Sequence, residues 1–384
     1  MTSTYCGKID VNSYSAEIRY NAVYNLVIDE INKLSYQHMK VRHRPTPKLG
    51  QTGLSNRINS CFVNAILQCL FNTNKLCKLF ESRAIERHIN IKNQGTSKGA
   101  LSASLSAYMN AYWSGQFSFL NTNRFLDIVS SFVQAEYDGN SQQDCHQFLI
   151  WFLIKLAADT NRGYEELSTN IEMYPNANLL KNSMDYITKQ KRISSSIVAD
   201  IFISVLCTIS KCPTCGQNSS IFEQKLNIGI PVLLEDRDIL SGLNRCFNSK
   251  MEACINCTTN CHKENRIWKI PDILILRLFK DEAIKNNITE FPVELDMAPF
   301  IHSDSPNNEE AIYSLYGVVI HIGPNYRSGH FVAKVKNLKS SSDLWQLFDD
   351  KEVSRMSLED VKHSAAYILF YERKTALEKK KRNK

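Results

Sequence analysis

Two short cysteine pairs constrain this chain more than any other feature: Cys212-Pro-Thr-Cys215 and Cys254-Ile-Asn-Cys257. About forty residues separate them, so the intervening segment has to fold back and bring both pairs together. Each Cys-x-x-Cys turn offers two thiolates, and two such knuckles complete a tetrahedral zinc site. One zinc is therefore expected on Cys212, Cys215, Cys254 and Cys257. Cys261 leaves the second knuckle open, because a Cys257-x3-Cys261 pairing would let it replace Cys254. Between the knuckles, residues 222–232 read as strand and 238–247 as helix.

The chain holds 12 cysteines, and its first 15 residues are polar, without the apolar stretch of a secretory signal. That usage fits a reducing, cytoplasmic or nuclear setting, where clustered thiols bind metals or catalyse instead of forming disulfides. With 384 residues, 43% hydrophobic, the chain can bury a full core built from two or three substructures. Its apolar runs are too short to span a bilayer, so a membrane partner is not expected. The net charge of +7 is modest, and part of it lies in the tail from Arg373 to Lys384. That tail reads first as solvated terminus and second as a nuclear-targeting patch; nucleic acid is not expected as a partner.

Residues 1–48 form an N-terminal extension with one amphipathic helix over Glu17–Lys40. Its Ala22, Val23, Leu26, Val27, Ile31 and Leu34 suit packing against the main domain. Arg44-Pro-Thr-Pro47 then reads as an extended linker.

The stretch Gly53–Leu70 carries the first chemical signal. A turn-prone run ends in Asn59-Ser60, either of which can cap the following helix. Cys61 then falls in the first helical turn, where the dipole and free N–H groups favour a thiolate. A second stretch, Asp138 to Leu149, begins with an Asp-Gly-Asn turn. Ser141-x-x-Asp144 has capping-box form ahead of a helix with Phe148, Leu149, Phe152, Leu153 and Leu156 on one face. Residues 157–195 are polar and read as loops with short helices. The last third is rich in strands: Ile273–Phe279, Tyr313–Ile320, the segment entering at His330, Leu344–Asp349 and Ala366–Tyr371.

Cysteine catalysis needs a thiolate, an imidazole to move the proton, and a group that orients the imidazole. Cys61 at a helix start, His330 at a strand start and Asp349 at a strand end supply one of each. Gly329, lacking a Cβ, leaves room for substrate backbone beside His330.

These stretches together resemble the ubiquitin-specific proteases. Gly53-Leu-x-Asn-x-x-Asn-Ser-Cys61-Phe-Val-Asn-Ala-x-Leu-Gln-Cys-Leu looks like the family's cysteine box, and Gln142-Gln-Asp-x-x-Gln-Phe-Leu like its second box. Tyr316 to Val332, Trp345 to Asp350 and Tyr367–Tyr371 resemble the histidine box and the strands after it. The resemblance spans residues 49–373, in family order. It implies an α+β, papain-like fold with a helical thumb (about 53–195), zinc-ribbon fingers (about 196–270) and a β-sheet palm (about 271–373), followed by the basic tail 374–384. It implies Cys61 as nucleophile, His330 as base and then acid, and Asp349 as the residue orienting His330. His321 competes for the base role, and the Gly-His-aromatic context favours His330. Asn56 would donate to the oxyanion with support from Asp350, while Gln143, Asp144, Gln147, Gly329 and Phe331 would meet the substrate tail. The zinc would be structural, holding fingers that grip ubiquitin.

The implied activity is thiol-dependent hydrolysis of the bond after ubiquitin's C-terminal glycine. A catalytically weak ubiquitin-binding adaptor and a protease for another ubiquitin-like modifier are the alternatives. Ile58 stands where the family has glycine, Gln147 where it has glutamate, and Phe331 where it has tyrosine. If the backbone at position 58 needed a positive φ, a β-branched residue there would strain the oxyanion loop.

Overall fold

The computed structural model describes residues 16–37 and 46–374, except 47, 91, 93–95, 132–135, 166, 168–170, 176–177, 255, 282, 285–286, 307–310, 326–327, 341–343 and 363–364. The basic tail beyond Lys374 and nearly all of the 44–47 linker lie outside the described residues.

The N-terminal half is mainly helical. It comprises α1 (Ala16–Gln37), β1 (Gly53–Leu54), α2 (Cys61–Phe71), α3 (Asn74–Phe80), α4 (Ala100–Ser114), β2 (Phe119–Leu120), α5 (Asn123–Ser130) and α6 (Cys145–Asp159). Every residue of α2 is buried, because thumb helices cover one side and the palm sheet the other. Helix α1 is no detached extension: Tyr20, Val23, Val27 and Ile31 join the same core, and the Tyr20 hydroxyl meets Ser106 Oγ of α4 at 2.7 Å. At the end of α6, the buried Asp159 carboxylate accepts from Ser97 Oγ, Gly99 N–H and the Ser102 N–H and hydroxyl, which ties α6 to the start of α4.

Next come β3 (Ile171–Tyr174), α7 (Leu179–Ile193), α8 (Ile197–Phe202), β4 (Ser204–Lys211), β5 (Asn218–Lys225), β6 (Ile228–Val232), α9 (Ile239–Phe247), β7 (Lys250–Ala253) and β8 (Asn260–Lys269). Five of these strands form the fingers sheet in the order β3-β5-β4-β8-β7. The 15-residue α7 corrects the expectation of short, irregular pieces over 157–195. Its buried face is largely polar (Asn182, Ser183, Tyr186, Gln190, Ile193), so it carries little apolar periodicity. Those polar groups are satisfied: Asn182 donates to Ser220 Oγ at 2.9 Å and Gln190 to Glu172 at 3.2 Å. An Asn178 N-cap starts the helix.

The palm adds β9 (Ile273–Lys280), β10 (Glu294–Asp296), β11 (Ile312–Asn325), β12 (Ser328–Lys336), β13 (Trp345–Asp349), β14 (Glu352–Met356), α10 (Leu358–Lys362) and β15 (Ala366–Arg373). Its strand order is β14-β13-β12-β11-β15-β9-β6, with β10 paired to β11. Ile273 and Ile275 face the thumb helices, whereas Leu274, Leu276 and Leu278 face α9 and its neighbours. Burial on both faces explains why this strand reads as an unbroken apolar run.

Strand pairing draws the subdomain lines differently from the sequence expectation. Strand β3 and helix α7 belong with the fingers, α8 packs into the thumb core, and β6 joins the palm by parallel pairing with β9. Among the described residues, no helix is long and apolar enough to cross a membrane.

Candidate active site

Helix α2 runs against α6 on one side and β11, β12 and β13 on the other, which sets Cys61 at the junction of thumb and palm. Neither Asn59 nor Ser60 supplies the expected side-chain cap. Asn56 Oδ1 instead accepts the Ser60 N–H at 2.9 Å, and Ser60 Oγ accepts the Arg57 N–H at 2.9 Å. Asn59 binds the 138–140 turn through its N–H to Gly139 and its amide to the Asn140 carbonyl. These polar residues brace the loop ahead of the helix rather than the helix itself.

His330, the third residue of β12, holds Asp349 Oδ1 on its Nε2 at 2.6 Å. Its other ring nitrogen is left for Cys61, the side chain that contributes most to the upward shift of the imidazole. Cys61, followed by the Asp349 bond, raises His330 from 6.5 to about 9 against the opposing effect of burial. An imidazolium beside the sulfur stabilises thiolate, the nucleophilic form. Cys145 also starts a helix, but its complete burial pushes its thiol well above the ordinary range. His321 lies buried in β11 with its ring 4.7 Å from that of Phe331, while the Asp349 carboxylate is bonded to His330.

Asp350 follows Asp349 in the two-residue connection between β13 and β14 and adopts a φ of 50°. Positive φ at the first position of such a turn is common, and Asp tolerates it. Asp350 Oδ2 accepts from Asn56 Nδ2 at 2.8 Å and Oδ1 from Asn64 Nδ2 at 2.8 Å, while its carbonyl accepts the Leu54 N–H. The turn therefore grips the oxyanion loop. Gly53 permits the approach, since a Cβ there would stand 2.3 Å from the Lys351 carbonyl oxygen. Asn56 carries a second amide hydrogen besides the one given to Asp350. Ile58 has no positive φ and is 63% exposed, so the strain considered for that position is absent.

Several residues assigned to the substrate tail sit elsewhere than expected. Asp144, not Ser141, is the N-cap of α6, accepting from the His146 and Gln147 N–H groups. It is 5% exposed, accepts the Tyr367 hydroxyl at 2.8 Å and faces Arg277 at 3.7 Å, so its carboxylate is already committed inside the protein. The Phe331 side chain is 4% exposed and packs into the thumb core. Gly329 has a φ of 143°, and a Cβ there would meet the Ile322 carbonyl at 2.4 Å, so its missing side chain serves the β11–β12 approach. Gln147 is exposed, and Gln143 is half-buried with its amide on Ser141 Oγ. Asn64, Gln142, Arg277 and Tyr367 also contact this site, without a role assigned to them from the sequence. Gln142 stands in the second box without a capping role, and Asn64 shows as one of two polar residues, with Gln68, in an otherwise apolar helix.

At the fingers' end, the two knuckles are copies of one turn. Gln217 and Thr259 carbonyls accept from Cys212 and Cys254 N–H, and Gly216 and Thr258 take φ values of 70° and 60°. Pairing of β4 with β8 places both turns at the same edge. The Sγ atoms of Cys212, Cys215, Cys254 and Cys257 lie within 4.8 Å of one another, with Cys212–Cys257 at 3.5 Å and Cys215–Cys254 at 3.8 Å. A tetrahedral zinc with thiolates at about 2.3 Å needs sulfurs about 3.8 Å apart, so the four thiols fit that ion. The Cys215 N–H, which donates to the Cys212 sulfur, leads the contacts that lower the Cys212 thiol to about 6. Cys261 is buried beside this cluster but outside the set of four.

A thiol, an imidazole and a carboxylate in sequence, beside an amide donor, form the apparatus of a cysteine hydrolase. The chain belongs to the ubiquitin carboxyl-terminal hydrolase family, whose pattern it matches over residues 52–371. Ubiquitin carboxyl-terminal hydrolase Usp2 of Drosophila melanogaster is 29% identical over 84% of this chain and 35% of its own length. Ubiquitin carboxyl-terminal hydrolase 2 of Bos taurus is 27% identical over 84% of this chain and 55% of its own. The chain thus spans between about a third and about half of these two relatives. Among solved structures, the SAGA Ubp8/Sgf11/Sus1/Sgf73 DUB module bound to ubiquitin aldehyde matches with a TM-score of 0.65 and 21% identity, covering 94% of this chain and 76% of that one.

Proposed function

We propose that this protein is a thiol-dependent deubiquitinase that hydrolyses the isopeptide or peptide bond after the C-terminal glycine of ubiquitin. The observation that carries the proposal is the His330–Asp349 pair, bonded at 2.6 Å, with Cys61 acting on the same imidazole. The Cys61 thiolate attacks the glycine carbonyl, and Asn56, anchored by Asp350, donates to the oxyanion. The carbon–nitrogen bond breaks as the His330 imidazolium passes its proton to the leaving amine, leaving a thioester. Water then attacks with His330 as base, releasing the ubiquitin carboxylate and the Cys61 thiol. Asp349 holds the ring in line throughout.

Ubiquitin and ubiquitinated proteins are the proposed partners, and the relatives' names support that substrate class. The catalytic unit is taken as residues 49–373, extended by the packed helix α1. Cys212, Cys215, Cys254 and Cys257 would hold one structural zinc, which supplies a cross-link between the two hairpins and no catalytic step.

The test is labelling by a ubiquitin carrying a C-terminal electrophile, comparing wild type with Cys61→Ala. An adduct on the wild type that disappears in the variant is expected. Labelling that survives in Cys61→Ala overturns the nucleophile, and preference for another ubiquitin-like modifier overturns the substrate. Binding without any adduct would favour an adaptor.

A further inference from the structure

Gln142 makes two hydrogen bonds to a single residue across the cleft. Its Oε1 accepts the Gly329 N–H at 2.9 Å, and its Nε2 donates to the Gly329 carbonyl at 3.1 Å. A primary amide presents one face of donor and acceptor much as a peptide unit of a neighbouring strand does. Gln142 therefore bonds Gly329 as a strand would.

The place of this contact gives it meaning. Strand β12 pairs with β11 from Ser328 onward but with β13 only from Ala333 onward. Residues 329–332 thus keep one edge that β13 does not cover. In an antiparallel ladder both backbone groups of a residue point to one side, and the sides alternate along the strand. The groups of Gly329 and Phe331 share that edge, and Gln142 occupies the first of them. His330, whose ring meets Cys61, lies between the two. A peptide extended toward Cys61 would run along this edge, because it offers ready-made backbone pairing. Gln142 itself is exposed and comes from the thumb side, two residues ahead of the Asp144 cap.

We infer that Gln142 is a displaceable latch, holding in the free protein the strand-edge position that the extended C-terminal tail of ubiquitin takes on binding. The inference rests on the deubiquitinase reading above. Substrate entry then exchanges two side-chain hydrogen bonds for two backbone ones, so the latch weakens binding and leaves the chemical step alone. The opposite role, a prop that fixes His330 through Gly329, would make its loss a loss of kcat.

The experiment is steady-state hydrolysis of ubiquitin bearing a C-terminal aminocoumarin by the full chain, with Gln142→Ala and Gln142→Glu. Gln142→Ala is expected to lower KM by about three- to tenfold, the scale of one or two exposed hydrogen bonds, with kcat within about twofold. Gln142→Glu keeps the acceptor, loses the donor and falls between. Alkylation of Cys61 by iodoacetamide, which has no tail, should keep its rate and pH profile in both variants. An unchanged or raised KM in Gln142→Ala overturns the latch, as does a fall in kcat with a shifted alkylation profile. The two readings fail differently: an inactive wild type removes the deubiquitinase and the latch together, whereas an active wild type with unimproved KM removes the latch alone.

Discussion

Asn56 donates its side-chain amide to Asp350 at 2.8 Å, although 294 positions separate them in the chain. The bond joins the loop ahead of the nucleophile's helix to the turn that follows the strand ending in Asp349. It fixes the amide from one side while the Ser60 N–H fixes its carbonyl oxygen from the other. A donor held at both ends needs no reorganisation when charge develops.

Removing that donor should therefore act on the chemical step. Asn56→Ala is expected to lower kcat by about 10²-fold with little change in KM, the usual size for one oxyanion donor. Asp350→Ala should lower kcat less, because Asn56 keeps its Ser60 contact. Steady-state hydrolysis of the ubiquitin–aminocoumarin substrate checks both.

The pH dependence follows from His330. Its imidazolium is retained up to about 9, chiefly through Cys61 and then through Asp349. The fall of kcat/KM on the alkaline side should lie near that value, and Asp349→Asn should move it toward neutrality. A raised folded-state pKa means the folded form holds the proton more tightly than the unfolded chain. The resulting stabilisation is complete below about 6.5 and is lost as the pH rises through about 9. Urea unfolding at pH 6 and pH 10, wild type against His330→Gln, should reveal a loss in the wild type that the variant lacks.

Asp144 should behave as a structural residue. It caps α6, accepts from Tyr367 and faces the partly buried Arg277. Asp144→Ala is expected to destabilise the fold by about 3 kcal/mol, combining a lost cap with an orphaned partly buried arginine. Chemical unfolding measures the loss. A large rise in KM with intact stability would instead place Asp144 on the substrate.

Ile58 needs no special backbone and points outward. Replacing it with glycine should leave kcat within about twofold and lower stability by about 0.5–1 kcal/mol through added freedom of the unfolded chain. A marked gain in kcat would show that the isoleucine constrains the oxyanion loop.

Metal removal provides a separate check. About one zinc per chain is expected, lost in Cys212→Ser together with thermal stability. Cys261→Ser should retain the metal, because that thiol lies outside the four-sulfur set.

The sequence revealed most where chemistry sits at the ends of elements. Cys61 at a helix start, His330 near a strand start and Asp349 at a strand end could each be located from local pattern, because turn residues and apolar periodicity mark such ends. Helix α7 escaped because its inward face is Asn182, Ser183 and Gln190, whose burial is satisfied by partners remote in sequence. Asp144 shows the same limit. A carboxylate in a polar run looks available until Arg277 and Tyr367 arrive from the palm. The aromatic at 331 looked like a substrate contact, but strand alternation turns it into the core.

The adjacent carboxylates Asp349 and Asp350 serve different masters: one steadies the imidazole, the other holds the oxyanion amide. Asp349 closes β13, whereas Asp350 stands in the turn with a φ of 50°, so the division is set by where the strand gives way to the turn. A single residue inserted between the two acids would part the imidazole's partner from the anchor of the loop ahead of α2, so both contacts cannot be kept at once. Substitutions elsewhere leave that spacing untouched, but a change in its length is all or nothing.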